Sequence, residues 1–150
     1  MKRWKFNLES IRQLKNRLAE DAAQKHARAL IQLARAKGML ADVEKEINAA
    51  ALMQFAGQGR KATTQDYAQL GQYMTVLEKQ RRERLEKVLH AEQEATLARA
   101  ALEKVARERE ILDRLKDRRQ ATHQFHVARQ EQALIDEMAQ QMKRGQIATA

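Results

Sequence analysis

"FAGQGRKATTQD", residues 55–66, is the stretch that decides the fold. It holds Gly57 and Gly59, two of the five glycines in the chain, and it interrupts a helical pattern that runs on both sides of it. Glycine is the poorest helix former after proline, and the chain has no proline at all. The segment therefore reads as the turn between two long helices. Thr63-Thr64-Gln65-Asp66 at its end has the form of a capping box, in which Thr63 accepts from backbone amides and Asp66 reaches back.

Outward from the turn, the composition favours helix and little else. Of 150 residues, 33% are charged and only 4% aromatic. Ala, Leu, Glu, Lys, Arg and Gln dominate, the residues that lose least rotamer freedom in a helix. Such a mixture with helical periodicity marks a coiled coil, since six aromatics can cover a seam but cannot fill a core. A roomy ligand cavity is not expected. With no cysteine there is neither a disulfide framework nor a thiolate zinc site, which fits a reducing compartment. The basic start is not followed by an apolar stretch and does not read as a secretory signal. The longest apolar run, Ala49 to Met53, is far too short to span a membrane.

In the first helix, Ala22, Ala29, Ala36, Val43 and Ala50 recur every seven residues, and Leu33, Leu40 and Ile47 form a second column. Their alternating steps of four and three mark a coiled-coil seam. Ile11, Leu14 and Leu18 extend it toward the N-terminus through an extra step of four to Ala22, read as a stutter. The alanine column should let a partner helix approach closely. In the second helix the stripe is Leu70, Tyr73, Leu77, Leu85, Val88, Leu102, Val105, Leu112 and Leu115, interrupted by Arg81, Glu92 and Arg99.

The expected fold is all-α: one coiled-coil domain over 1–150, an antiparallel hairpin and a monomer in isolation. Its helices are expected at about 5–55 and 64–143, with the turn at about 56–63 and a short C-terminal tail. At the helical rise the arms measure roughly 75 and 120 Å. Folding back at residue 60 sets Ile11 opposite about Glu108, and everything past about Leu115 overhangs as a single helix.

The residues offer little chemistry. His123 and His126, three apart, lack the acid or cysteine that would complete a metal set, and no cofactor is expected. His26 reads as a polar seam layer. Asp136 and Glu137 are adjacent and so point to different faces of a helix. No phosphate loop, nucleophile elbow or catalytic His–carboxylate spacing occurs, and no enzyme is expected. The net charge of +9 favours acidic partners. "KQRRERLEK", residues 79–87, resembles the basic region of a zipper-type DNA reader, but Glu83 and Glu86 interleave its arginines and no aromatic platform for single strands is present. Nucleic acid is not the expected partner, nor is direct membrane insertion.

Both ends of the chain resemble the FliJ family, the small coiled-coil proteins of the bacterial flagellar export apparatus. The N-terminal likeness lies in "KFNLESIRQLK", residues 5–15, with Phe6, Leu8, Ile11 and Leu14 at the family's spacing. The C-terminal likeness lies in "LDRLKDRRQATHQFHVARQEQALIDEMAQ", residues 112–140, and a weaker one in the central "YAQLGQYMTVLEK". The resemblance implies a cytoplasmic stalk, peripheral to the inner membrane, that sits in the pore of the hexameric export ATPase. It also implies links to the membrane export gate and to export chaperones. Carried onto this chain, Arg118, Arg119 and Arg129 would pair with acidic pore residues and Asp136 and Glu137 with basic ones. Tyr73 and Leu77 would meet the gate. The alternatives are the equivalent stalk of a virulence-type secretion system and, from another class, a basic coiled-coil nucleic-acid binder.

Overall fold

The structure is a computed structural model that describes residues 3–57 and 63–149, with side chains for 3–54 and 63–148. The chain is all-α. Helix α1 runs Glu9–Gly57 and helix α2 runs Thr64–Thr149. Most of the expected turn lies outside the described residues, but its last step is visible. The Thr63 N–H donates to Asp66 Oδ2 at 3.1 Å, and the Asp66 N–H donates to Thr63 Oγ1 at 3.3 Å. These two reciprocal bonds satisfy amide groups that a helix start leaves without partners. α2 therefore begins where the sequence places a capping box.

The chain divides into two units. The first comprises residues 1–18 with 105–150, and the second comprises residues 19–104.

In the second unit, α1 and α2 pack antiparallel. Arg81 pairs with Glu44 at 3.7 Å, and the Arg84 guanidinium donates to the Met39 carbonyl at 2.7 Å. Val43 and Leu77 are the deepest side chains, 0% and 2% exposed. On α1, Ala22, Ala29, Leu33, Ala36, Leu40 and Ile47 are half-buried, with Val43 and Ala50 fully buried among them. His26 shares this half-buried column. On α2 the seam passes through Val88, Ala91, Ala95 and half-buried Ala98, while Glu92 and Arg99 are exposed. The interruptions expected at Glu92 and Arg99 therefore lie off the seam, one residue beside the alanines that occupy it. Leu85 and Tyr73 are exposed as well. Alanine on both helices admits close approach of the axes, which brings more backbone and Cβ surface into contact per turn.

Along the start of α1 the expected seam is corrected. Leu18 stands 40% exposed, and the buried position is its neighbour Ala19, at 4%. Ile11 and Leu14 also face outward. The inward positions are Leu8, Arg12 and Lys15, all half-buried, so alternating steps of four and three run from Leu8 to Ala22 with no stutter. Charge explains the choice. Arg12 Nε donates to Asp113 Oδ1 at 2.7 Å, Lys15 pairs with Glu108, and Lys116 lies 3.2 Å from Glu9. Glu108 therefore stands opposite Lys15, four residues along from the expected Ile11. α1 runs on to Gly57.

Candidate partner-binding surface

Residues 3–6 are not helical. The Glu9 N–H bonds the Phe6 carbonyl at 3.1 Å, and the Arg12 N–H bonds the Leu8 carbonyl at 2.9 Å, which starts α1 behind a short turn. Glu9 in the first turn complements the positive end of the helix dipole. Ahead of it, the chain lies as a strap on α2. Phe6 is buried, with the Arg119 guanidinium 5.7 Å from its ring centroid. Trp4 stacks on Phe6 at 6.3 Å and lies 6.2 Å from the His123 ring.

The strap corrects where the overhang begins. Extended chain rises about 3.3 Å per residue and helix about 1.5 Å, so Trp4 to Phe6 covers nearly the same length as four residues of α2. The non-helical residues 3–6 thus reach further along α2 than a helix of the same length. Half-buried positions continue on α2 to His123 and Val127, and every described residue from 128 to 148 is exposed. The unpartnered end begins after Val127, about a dozen residues later than the expected Leu115.

The electrostatics of the strap's root are specific. Glu9 Oε2 is closed off from water and lies 3.2 Å from the Lys116 ammonium. Lys116 first, and Arg12 with it, hold the Glu9 carboxyl below its ordinary value of 4.5 against an opposing desolvation. The bond to Asp113 raises Arg12 further above its already high range.

The expected site residues separate into distinct settings. Arg129 and Glu137 stand exposed on the unpartnered end. Asp136 is exposed there too, its Oδ1 accepting from Gln132 Nε2 at 3.1 Å. Arg118 is exposed beside the strap, and its backbone carbonyl accepts from Thr122. Arg119 covers Phe6, so it serves the strap as well as any partner. Tyr73 is half exposed, but Leu77 is among the most buried side chains and cannot touch a partner while the helices are paired. The structure adds Trp4, which the family spacing of Phe6 and Leu8 brushes past, and the exposed apolar residues Leu134, Ile135, Met138 and Met142. The overhang from 128 to 148 carries three cations and three carboxylates, so any grip there comes from individual residues rather than a net field. Among the described residues, no group of three His, Cys, Asp or Glu side chains could hold a metal, and no helix is long and apolar enough to cross a membrane. His123 and His126 instead meet aromatic rings, Trp4 and Phe125.

Two long antiparallel helices, the second running on past Val127 with its described residues exposed, define a coiled-coil scaffold. A family model described as the flagellar FliJ protein matches residues 4–146, nearly the whole chain. The chain belongs to the FliJ family, non-catalytic components of flagellar protein export. No individual curated protein and no solved structure matches it.

Proposed function

We propose that this chain is the stalk of the flagellar export apparatus that enters the hexameric export ATPase, stimulates it, and links it to the export gate and export chaperones. The observation that carries the reading is the end of α2: a helix of this family that continues past Val127 with every described residue from 128 to 148 exposed. In this reading Arg118 and Arg129 grip carboxylates lining the pore, a task that suits the two-pronged arginine fork. Asp136 and Glu137 accept from basic pore residues. Arg119 contributes from its place over Phe6. At the other end Tyr73 meets the gate, and Leu77 beneath it holds α2 against α1 and so sets the position of the tyrosine. The protein works at the cytoplasmic face of the inner membrane, attached through these partners. The match to a flagellar family favours this system over a virulence-type one.

The test is stimulation of ATP hydrolysis by the cognate ATPase. An Arg118→Ala, Arg129→Ala double variant should keep its stability within about 0.5 kcal/mol of wild type, as exposed substitutions do. It should lose most stimulation, and added salt should weaken the wild type in the same direction. Normal stimulation by that variant, together with loss in Tyr73→Ala, would mean that the opposite end enters the ring.

A further inference from the structure

The strap of residues 3–6 is held in two different ways. At its root, Glu9 is tied to Arg12 and Lys116, and Arg12 to Asp113, so ion pairs fix the start of α1 on α2. At its tip the hold is made of rings: Phe6 lies under the Arg119 guanidinium, and Trp4 stacks on Phe6 beside His123. The Phe6 carbonyl accepts from the Glu9 N–H of its own helix, and among the described residues no backbone bond joins the strap to α2. A cleft of about 450 Å³ remains between Trp4, Lys5, Phe6 and Glu9 on one side and Lys116 and Gln120 on the other. A segment with few side-chain contacts and no hydrogen-bond ladder is one that opens locally.

The strap lies at the near end of a face that continues down the overhang. Lys116, Arg119, His123, Val127, Leu134 and Met138 follow one another at helical spacings that share one side of α2. Lys116, Arg119 and His123 touch the strap or its root, whereas Leu134 and Met138 are exposed. Arg118 stands at the level of the strap, two residues from Lys116 and so on the far side of the helix. A partner that encloses α2 and advances from its free end has a single helix to grip as far as Val127. It then meets the strap, and Arg118 and Arg119 lie there.

On the reading that the end of α2 enters the export hexamer, we propose that Trp4 and Phe6 form a displaceable latch that sets how far the hexamer advances. Shut, the strap leaves Arg129, Asp136 and Glu137 on a bare helix and thickens the rod where Arg118 and Arg119 stand. Released, it swings about the turn at Asn7 and Leu8, while the ion pairs of Glu9 and Arg12 keep α1 in place. The bare helix then lengthens by the span from Lys116 to Val127, about 17 Å at the helical rise. Arg119 parts from Phe6 and can turn its fork to a carboxylate of the pore. Binding and release are thereby linked, so whatever holds the latch shut weakens engagement in proportion.

The experiment uses the full chain and its cognate hexameric ATPase. The sequence has no cysteine, so Lys5→Cys with Gln120→Cys, two positions on the same cleft, can be bridged by a short bismaleimide that locks the strap shut. The locked chain should bind at least about tenfold more weakly than the same variant left unbridged. Phe6→Ala, which unlatches the strap, should bind more tightly than wild type with its helical content unchanged. Trp4 is the chain's one tryptophan, so fluorotryptophan labels it alone, and its fluorine resonance should shift as the hexamer saturates the chain. The latch is overturned, and the stalk reading left standing, by equal binding of the locked and unbridged chains, by weaker binding of Phe6→Ala, or by a fluorine resonance that stays in place. Absence of binding by the wild type overturns both.

Discussion

Residues 19–104 and the terminal unit of residues 1–18 with 105–150 use the same two helices and hold them together by different physics. The first is held by apolar layers: Val43, Ala50, Leu77, Val88, Ala91 and Ala95 are all buried. Among the described residues the terminal unit fully buries Phe6 alone; Leu8, Val105, Leu112 and Leu115 are half-buried, and its helices are tied by Arg12–Asp113, Lys15–Glu108 and Glu9–Lys116. Apolar burial is worth about 25 cal/mol per Å² and is indifferent to salt, whereas part-exposed ion pairs contribute about 0–1 kcal/mol each and are screened. The contrast teaches that the alanine-lined stretch supplies stability, while the terminal unit is held loosely enough to respond to its surroundings. A segment that must engage partners is drawn from the low-stability end of a protein.

The hardest blow to this comparison is Val43→Asp. Val43 is wholly enclosed, so an unpaired carboxylate there should cost about 4 kcal/mol or more and collapse the cooperative melt seen by circular dichroism. A melting temperature near wild type would show that the apolar layers are not what holds residues 19–104.

Phe6→Ala should act in the other unit. Removing a buried ring costs about 3 kcal/mol, here spent on the strap rather than on the whole fold. Trp4 is the chain's one tryptophan, so its fluorescence should shift toward that of an exposed indole. Amide exchange should quicken over residues 9–18 and hardly at all around Val43. Uniform loss of protection along α1 would merge the two regions into one.

Gly38→Ala should stabilise residues 19–104 by about 0.5–1 kcal/mol. Helical alanine is better than glycine by that order, and a Cβ at Gly38 meets nothing within 4 Å. A drop in melting temperature would point to a role for the glycine that its open surroundings do not show.

The smallest effect is ionic. A double-mutant cycle on Arg12 and Asp113 should give a coupling of about 0.5 kcal/mol that fades in 1 M salt. Acid should act similarly. Glu9 has its folded pKa depressed, so its contribution is present above its ordinary 4.5 and is lost as pH falls through the lower folded value. The Trp4 signal should therefore change below about pH 4.5, at a pH where the Val43 region remains protected. Coincident acid transitions in both regions would erase the distinction.

Much of this architecture was legible along the chain. The glycines, Thr63 and Asp66 locate a helix start through local hydrogen bonding alone, and the seven-residue alanine and leucine columns mark the α1 seam because periodicity is a property of one helix. Ala91, Ala95 and Ala98 escaped notice because alanine is a faint apolar signal beside Leu85 and Leu97, yet close packing prefers it. Ile11, Leu14 and Leu18 misled for the opposite reason. Their spacing is that of a core stripe, and nothing local says that Arg12 and Lys15 will find carboxylates about a hundred residues away.

By itself, then, the sequence determined two helices, their caps, their central seam and the family to which they belong. These follow from backbone propensity and from patterns within a dozen residues. Only the tertiary structure decided which face of the α1 start turns inward, how far the strap carries Trp4 along α2, and where α2 is left alone. Each of those depends on a contact between residues far apart in the chain, and the free energy of an ion pair or a stacked ring exists only once both partners are in place.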